Sequence, residues 1–317
     1  MELCSVVSLP NRSRRARHND RNVEGTLFGY LQWEKSLFPL WIFSWWIMAA
    51  HTAQVVPDQL FSLNKTDRYK EEYVFSFVEK WDELIDWDRR AASEGGFFAN
   101  VLTARGAKTV LDVATGTGFH SVMLKQAGFD VTSVDGSEMM LNKAVANGHR
   151  RGQPLQTIHA DWRWLGDAIT GSFDAIICLG NSFTHLFADT DRRQALAHFH
   201  ALLNPGGTLI LDQRNYDALL DKRAQPSRKF YYCGKNVCAR PIHVDDTMAR
   251  FRYEFSDGAT FHLEMFPLRR AYVFQLMAES GFSNIETFAD FQETVREYEP
   301  DFYVHIAQKP KAIGSSV

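Results

Sequence analysis

The sequence predicts an α/β fold, mostly parallel and doubly wound, closed by an antiparallel C-terminal hairpin strand and carrying an antiparallel β insertion. Three observations predict it. Short apolar runs alternate with helical segments from Thr109 to Leu211, the pattern of a parallel sheet with helices on both faces. The first run, Thr109–Val113, leads into a glycine turn at Gly116 and Gly118. The alternation then lapses at 229–265 into a stretch rich in tyrosine and phenylalanine, and ends in two strand-like runs, Ile285–Phe288 and Phe302–Ala307.

The elements follow in order. Pro57 to Asp67 reads as linker. Tyr73, Val74, Phe77, Val78, Trp81, Leu84 and Ile85 recur at three- and four-residue spacing, a helical stripe. A second helix is expected over Glu94–Ala104, before the strand Thr109–Val113. Helices over Gly118–Ala127 and Glu138–Asn147 should stop at Gly128 and Gly148, because glycine takes the left-handed conformation that ends a helix. Val131–Val134 and Gln156–His159 are the next strands. Phe173–Leu179, apolar apart from Asp174, reads as a central buried strand. Arg192–Leu203 is helical up to Asn204-Pro205-Gly206-Gly207, and Thr208–Leu211 is the fifth strand. Residues 229–265, with a turn at Asp257-Gly258, form the insertion over the top of the sheet, and Pro267–Ser280 returns to helix before Gly281.

Domain bounds expected from these changes are 1–63 for an extension, 64–310 for the main domain with its insertion at about 217–266, and 311–317 for a tail. The extension carries Arg12, Arg14, Arg15 and Arg17, then a nearly unbroken apolar run from Leu37 to Ala50 with Pro39 inside it. That run is shorter than the roughly 20 residues of a membrane span. Three readings stand: Met48 is the true start, the segment is a targeting peptide, or it is a membrane-associating helix. No membrane contact is expected in the rest of the chain.

A net charge of −3 gives no field for nucleic acid. Four cysteines in 317 residues are too few for a disulfide framework, so a reducing, cytoplasmic setting is expected. Cys233 and Cys238 have no further Cys or His cluster to complete a metal site, and no metal is expected. Oligomeric state is left open.

The chemistry gathers at the strand ends. Gly116 and Gly118 let the backbone approach a ligand, and Asp135 ends the second strand, where an acid takes ribose hydroxyls. The turn alone fits an adenosyl ligand, a dinucleotide or no ligand. Ser121 stands where a dinucleotide site places its third glycine, which favours an adenosyl ligand, S-adenosylmethionine. Asp161 can accept from an adenine amino group with Trp162 covering the ring, or it can cap a helix. Leu179-Gly180-Asn181 follows the fourth strand; Asn181 offers a donor and an acceptor, and His185 lies just beyond, either structural or at the site. Arg214 leaves the fifth strand, where it can clamp a carboxylate or pair with Asp212 or Asp217.

Together these segments resemble the glycine and glycine/sarcosine N-methyltransferases, a branch of the class I S-adenosylmethionine-dependent methyltransferases with a Rossmann-like sheet. The resemblance spans about 65–309 and rests on YKEEYVFSFVEKWDELIDWDRRA, LDVATGTGFHSVMLKQAGFDVTSVDGSEMML, DWRWL, FDAIICLGNSFTHLF, NPGGTLILDQRNYD, FYYCG, HVDD and ARFRYEF. It is greatest to the microbial enzymes that begin betaine synthesis by methylating glycine twice. The resemblance implies cofactor contacts from Tyr73, Trp81, Arg89, Ala114, Gly116, Asp135, Asp161, Trp162, Leu179 and His185, with Arg89 on the methionine carboxylate. It implies that Asn181 and Arg214 bind the amino acid and that Tyr232 and Tyr253 close over it. Leu84 stands where the animal enzymes carry a tyrosine. The implied activity is methylation of glycine and then sarcosine, without metal, without a covalent intermediate and without a committed general base. Alternatives are an N-methyltransferase for another small amino acid or amine and a non-catalytic S-adenosylmethionine-binding regulator.

A chain beginning at Met48 is expected to be as soluble and as active as the longer one, because every residue singled out lies beyond it while the upstream aromatic run invites aggregation. Activity assays on the two chains and mass spectrometry of the native N-terminus check this. Loss of folding or activity would make the segment part of the enzyme.

Overall fold

The structure, a computed structural model, describes residues 65–223, 233–291 and 299–311. The readings of residues 1–64, including Met48, the targeting segment and the membrane helix, lie outside the described residues, as does Tyr232. All described residues fall in one compact unit.

Ten strands are described: β1 (Thr109–Asp112), β2 (Asp130–Asp135), β3 (Gln156–His159), β4 (Phe173–Cys178), β5 (Leu203–Arg214), β6 (Val237–Val244), β7 (Ala249–Phe255), β8 (Thr260–Met265), β9 (Ser283–Ala289) and β10 (Phe302–Gln308). Seven form one sheet in the order β3-β2-β1-β4-β5-β10-β9. The β1–β2, β1–β4, β2–β3 and β4–β5 pairs are parallel. β10 pairs antiparallel with β5 and with β9. The chain order reverses between β1 and β4, so the crevice for a ligand opens at the carboxyl ends of these two strands.

The predicted α/β architecture is present because the apolar runs are buried on both faces. Ala175, Ile176, Ile177 and Cys178 of β4 are fully buried. One core layer packs Phe183, Leu196 and Phe199 against one face, and another packs Phe98, Leu102 and Phe129 against the other. The insertion is a separate antiparallel sheet, β6-β7-β8. Along β7, Ala249, Phe251, Tyr253 and Phe255 alternate inward, the period of a half-buried strand. The N-terminal helices join that core: Phe77 stacks on Phe261 with ring centroids 4.5 Å apart.

Several bounds differ from those expected. The stripe from Tyr73 to Ile85 is two short helices, Phe75–Glu79 and Trp81–Ile85, rather than one, and a further short helix, Tyr69–Glu72, precedes it. Asp86 has φ +51° and its carboxylate caps the next helix at the Arg89 N–H. The helix expected over Glu94–Ala104 is split into Trp87–Glu94 and Phe97–Ala104, because Gly95 and Gly96 both take positive φ. Gly148 does not end its helix, which runs Glu138–Arg150. It is a packing glycine: a Cβ there would lie 2.5 Å from the Gln153 carbonyl. Asn204–Gly207 belongs to an irregular start of β5, with a register shift against β4.

Gly118 begins the helix Phe119–Gln126 at φ +95°, and a Cβ would sit 3.0 Å from Leu155 Cδ1 and 3.2 Å from Ala144 Cα. Gly118→Ala is therefore expected to lower stability by at least about 1–3 kcal/mol from backbone strain. Urea unfolding measures this; an unchanged midpoint would mean that the turn can relax.

Candidate active site

A cavity of about 1190 Å³, counting its open mouth, lies at the carboxyl ends of β1, β2, β4 and β5. It gathers Tyr73, Trp81, Ala114, Gly116, Asp135, Asp161, Trp162, Leu179, Asn181, His185, Arg214 and Tyr253 into one space. Arg89 is not among the lining residues; its neighbour Arg90 is. The helix explains the difference. Trp87, Arg90 and Glu94 form its buried face at spacings of three and four, and Arg89 lies off that face.

The glycine loop and Asp135 form one end. Asp135 accepts from the Gly116 N–H on one carboxylate oxygen and from the Ser137 N–H on the other, both at 2.8 Å. Burial pushes its carboxyl up to about 6, against the pull of these two bonds. An ionised carboxylate has about four acceptor positions, so two hydroxyls can still be received. Asp112 lies beneath, fully buried, and holds the loop through Ser121 at 2.7 Å. That bond gives the absent third glycine a structural replacement.

Asp161 does cap the short helix at Trp162–Trp164, through the Arg163 N–H at 2.9 Å. It also pairs with the Arg163 side chain at 2.6 Å while lining the cavity. Trp162 is fixed by its indole N–H on the Val113 carbonyl and by the Phe183 ring, nearly parallel at 6.4 Å.

At the other end, Asn181 has φ +62° and is only 2% exposed. Its Oδ1 accepts from the Arg214 N–H at 2.9 Å, while its Nδ2 donates to the Tyr216 hydroxyl and to Met265 Sδ, each at 2.9 Å. The Arg214 guanidinium lies 4.8 Å from the Phe251 ring and 5.1 Å from the Phe302 ring, and it bonds the Tyr253 hydroxyl. Asp212 accepts from the Asn181 N–H at 2.7 Å. Asp217 accepts from the Arg270 N–H at 2.9 Å.

Residues 66–73 cover part of this space and were largely missed as site residues. Thr66 and Tyr69 line the cavity beside Tyr73. The segment is tied on both sides: Thr66 to the Phe187 N–H, Asp67 to Arg163, and the Glu72 carboxylate to the Glu264 N–H. Burial raises the Glu72 carboxyl to about 7. The one sequence signal for Tyr69 is Gly136: a Cβ there would lie 2.6 Å from the Tyr69 hydroxyl. Tyr73 and His185 share a hydrogen bond of 2.9 Å.

Residues 110–207 match a family model described as a methyltransferase domain. The glycine/sarcosine N-methyltransferase of Halorhodospira halochloris is 59% identical over 244 residues, 77% of this chain and 91% of that one. That of Aphanothece halophytica is 57% identical over 77% of this chain and 92% of its own length. Among solved structures, an S-adenosylmethionine-dependent methyltransferase from Clostridium acetobutylicum ATCC 824 superposes with a TM-score of 0.58. It is 19% identical and is matched over 74% of this chain and 98% of its own.

Burial lowers the His185 pKa from 6.5 to about 4. Between those values the unfolded chain binds a proton that the folded chain does not. The contribution of His185 to stability is therefore complete above about pH 6.5 and is lost as pH falls towards 4. Asp135, raised from 3.8 to about 6, acts in the opposite sense, weakening the fold as pH rises across that interval. Because the two oppose each other in a bulk acid titration, the check is NMR of the His185 ring. Its resonances should keep their neutral positions down to pH 5, and a midpoint near 6.5 would contradict the burial argument.

Proposed function

The chain belongs to the glycine/sarcosine N-methyltransferase family, and on that premise we propose that it transfers methyl groups from S-adenosylmethionine to the amine of glycine and then of sarcosine. Its sheet is the Rossmann-like one of class I methyltransferases. The products are sarcosine and dimethylglycine, the first steps toward the trimethylated osmolyte betaine. A reducing cytoplasmic setting and metal-free chemistry belong to the same proposal.

One observation carries it: Arg214, set between two aromatic rings, faces the same cavity as Asp135. A cofactor-binding regulator needs the acid at β2; it has no use for a carboxylate clamp across from it. The cavity suits the cofactor. Asp135 receives the ribose hydroxyls, Asp161 the adenine amino group, and Trp162 covers the base. Arg90, in place of Arg89, takes the methionine carboxylate. Tyr73, Trp81, Ala114, Gly116, Leu179 and His185 supply the remaining wall.

S-adenosylmethionine supplies a methyl group already activated on sulfonium. The chain has to hold a neutral amine in line with it. Arg214 and Asn181 fix the acid end of the substrate, and Tyr253 closes beside them. Leu84, Leu263 and Met265 offer an apolar wall that accommodates an amine already bearing a methyl. A histidine held near 4 by burial is too weak a base to take the proton of an ammonium. The proton is therefore lost to solvent before the amine is enclosed, and alkaline pH favours turnover.

Incubation with methyl-labelled S-adenosylmethionine and a panel of glycine, sarcosine, other amino acids and carboxylate-free amines tests the assignment. Label on glycine and sarcosine is expected, label on another amine would move the substrate, and no label would leave a binding protein. Arg214→Lys sharpens the test. Lysine keeps the charge but not the planar two-point fork, so kcat/KM for glycine is expected to fall about 100-fold or more. Cofactor affinity should hardly change. Near-normal turnover, or an equal loss for a carboxylate-free amine, would remove Arg214 from the substrate site.

A further inference from the structure

We propose that Glu94 and His120 are positioning residues of the cofactor site, which together set the plane of the Arg90 guanidinium before the ligand arrives. The proposal rests on Arg90 as the clamp for the methionine carboxylate. Arg90 and Glu94 are four residues apart on the helix Trp87–Glu94, so their side chains meet on one face. Arg90 Nε donates to Glu94 Oε1 at 2.9 Å. The Nε–H bond lies in the guanidinium plane, so an acceptor that holds it fixes how that plane is turned. The same Oε1 is bonded to His120 Nε2, also at 2.9 Å.

His120 ties this pair to the nucleotide end. It is the second residue of the helix Phe119–Gln126, which follows the glycine loop at Gly118. Its ring is held edge-on by Phe98 and Phe119, with centroids 5.3 and 5.0 Å away. The Arg90 guanidinium lies over the same Phe119 ring at 5.2 Å. Arg90 and His120 both line the cavity, whereas Glu94 stands behind them. Burial alone would raise the Glu94 carboxyl; the His120 and Arg90 charges and hydrogen bonds overcome it and hold the carboxyl below its ordinary range. The joint is therefore ionised and fixed.

An arginine on a flexible stem beside an open cavity has many rotamers and tends to turn toward water. Arg90 is 4% exposed and held on two sides, so its orientation is set in advance. Because Glu94 bonds a residue of each helix, the distance from the carboxylate clamp to the glycine loop is set by one carboxylate oxygen.

The test measures Kd by calorimetry on the full chain for S-adenosylmethionine and for its decarboxylated analogue, which lacks the group that Arg90 receives. Wild type should prefer the carboxylated ligand, and Glu94→Gln should weaken that ligand by about tenfold or more while changing the analogue by less than about threefold. The kinetic loss should fall on KM for the cofactor rather than on kcat. His120→Gln, which leaves the Arg90–Glu94 bond in place, should give the same pattern at smaller size. Equal weakening of both ligands by either variant, or a loss confined to kcat, would overturn the proposal. Should Glu94→Gln fail to fold, as a melting curve would show, His120→Gln decides by the same comparison. If wild type shows no preference, or Arg90→Gln keeps it, the clamp itself is wrong and the proposal falls with it, an outcome distinct from a clamp that works without Glu94.

Discussion

The buried carboxamide of Asn181 is the joint on which the acceptor end depends. Its backbone takes a left-handed conformation just after β4, which costs about 1 kcal/mol or more in a non-glycine residue. That cost is offset by five hydrogen bonds made by this one residue: its N–H to Asp212, its carbonyl from Thr184, its Oδ1 from the Arg214 N–H, and its Nδ2 to Tyr216 and Met265. The turn after β4, the end of β5 and the last residue of β8 are thereby fixed in one register. Asn181 is thus a brace, and Arg214 stands where its own backbone is held.

The two ends of the cavity are built by different physics. At the nucleotide end, backbone N–H groups and an acid whose pKa is raised by burial meet in a tight turn. At the acceptor end, a permanent cation is set among Phe251, Phe302 and Tyr253. The first suits a ligand rich in hydroxyls and ring nitrogens; the second suits a small carboxylate. Between them Tyr73 and His185 form an uncharged polar wall, since burial keeps the histidine neutral and pushes the tyrosine well above its ordinary value.

How much could be read in advance follows the same division. The parallel strands, the glycine turn and Asp135 were legible because each is local: a short apolar run, a positive φ, an acid at a strand end. The breaks at Asp86 and at Gly95-Gly96 were harder, because only the caps and the positive φ values reveal the turns. Choosing between Arg89 and Arg90 required knowing which face of one short helix is buried. Tyr69 and the segment around it stayed hidden, because what places them is partners far along the chain, Arg163, Phe187 and Glu264. Both readings of Asp161 were legible, and the cap is the one that geometry displays.

The register of β10 against β5 sets Phe302 opposite Arg214. The strand that supplies one of the two rings around that guanidinium is the last of the described strands along the chain, although it lies inside the sheet rather than at its edge. The elements of the nucleotide end leave the ribosome much earlier. A chain that stopped short of β10 would leave the β5 edge open and Arg214 without the Phe302 ring.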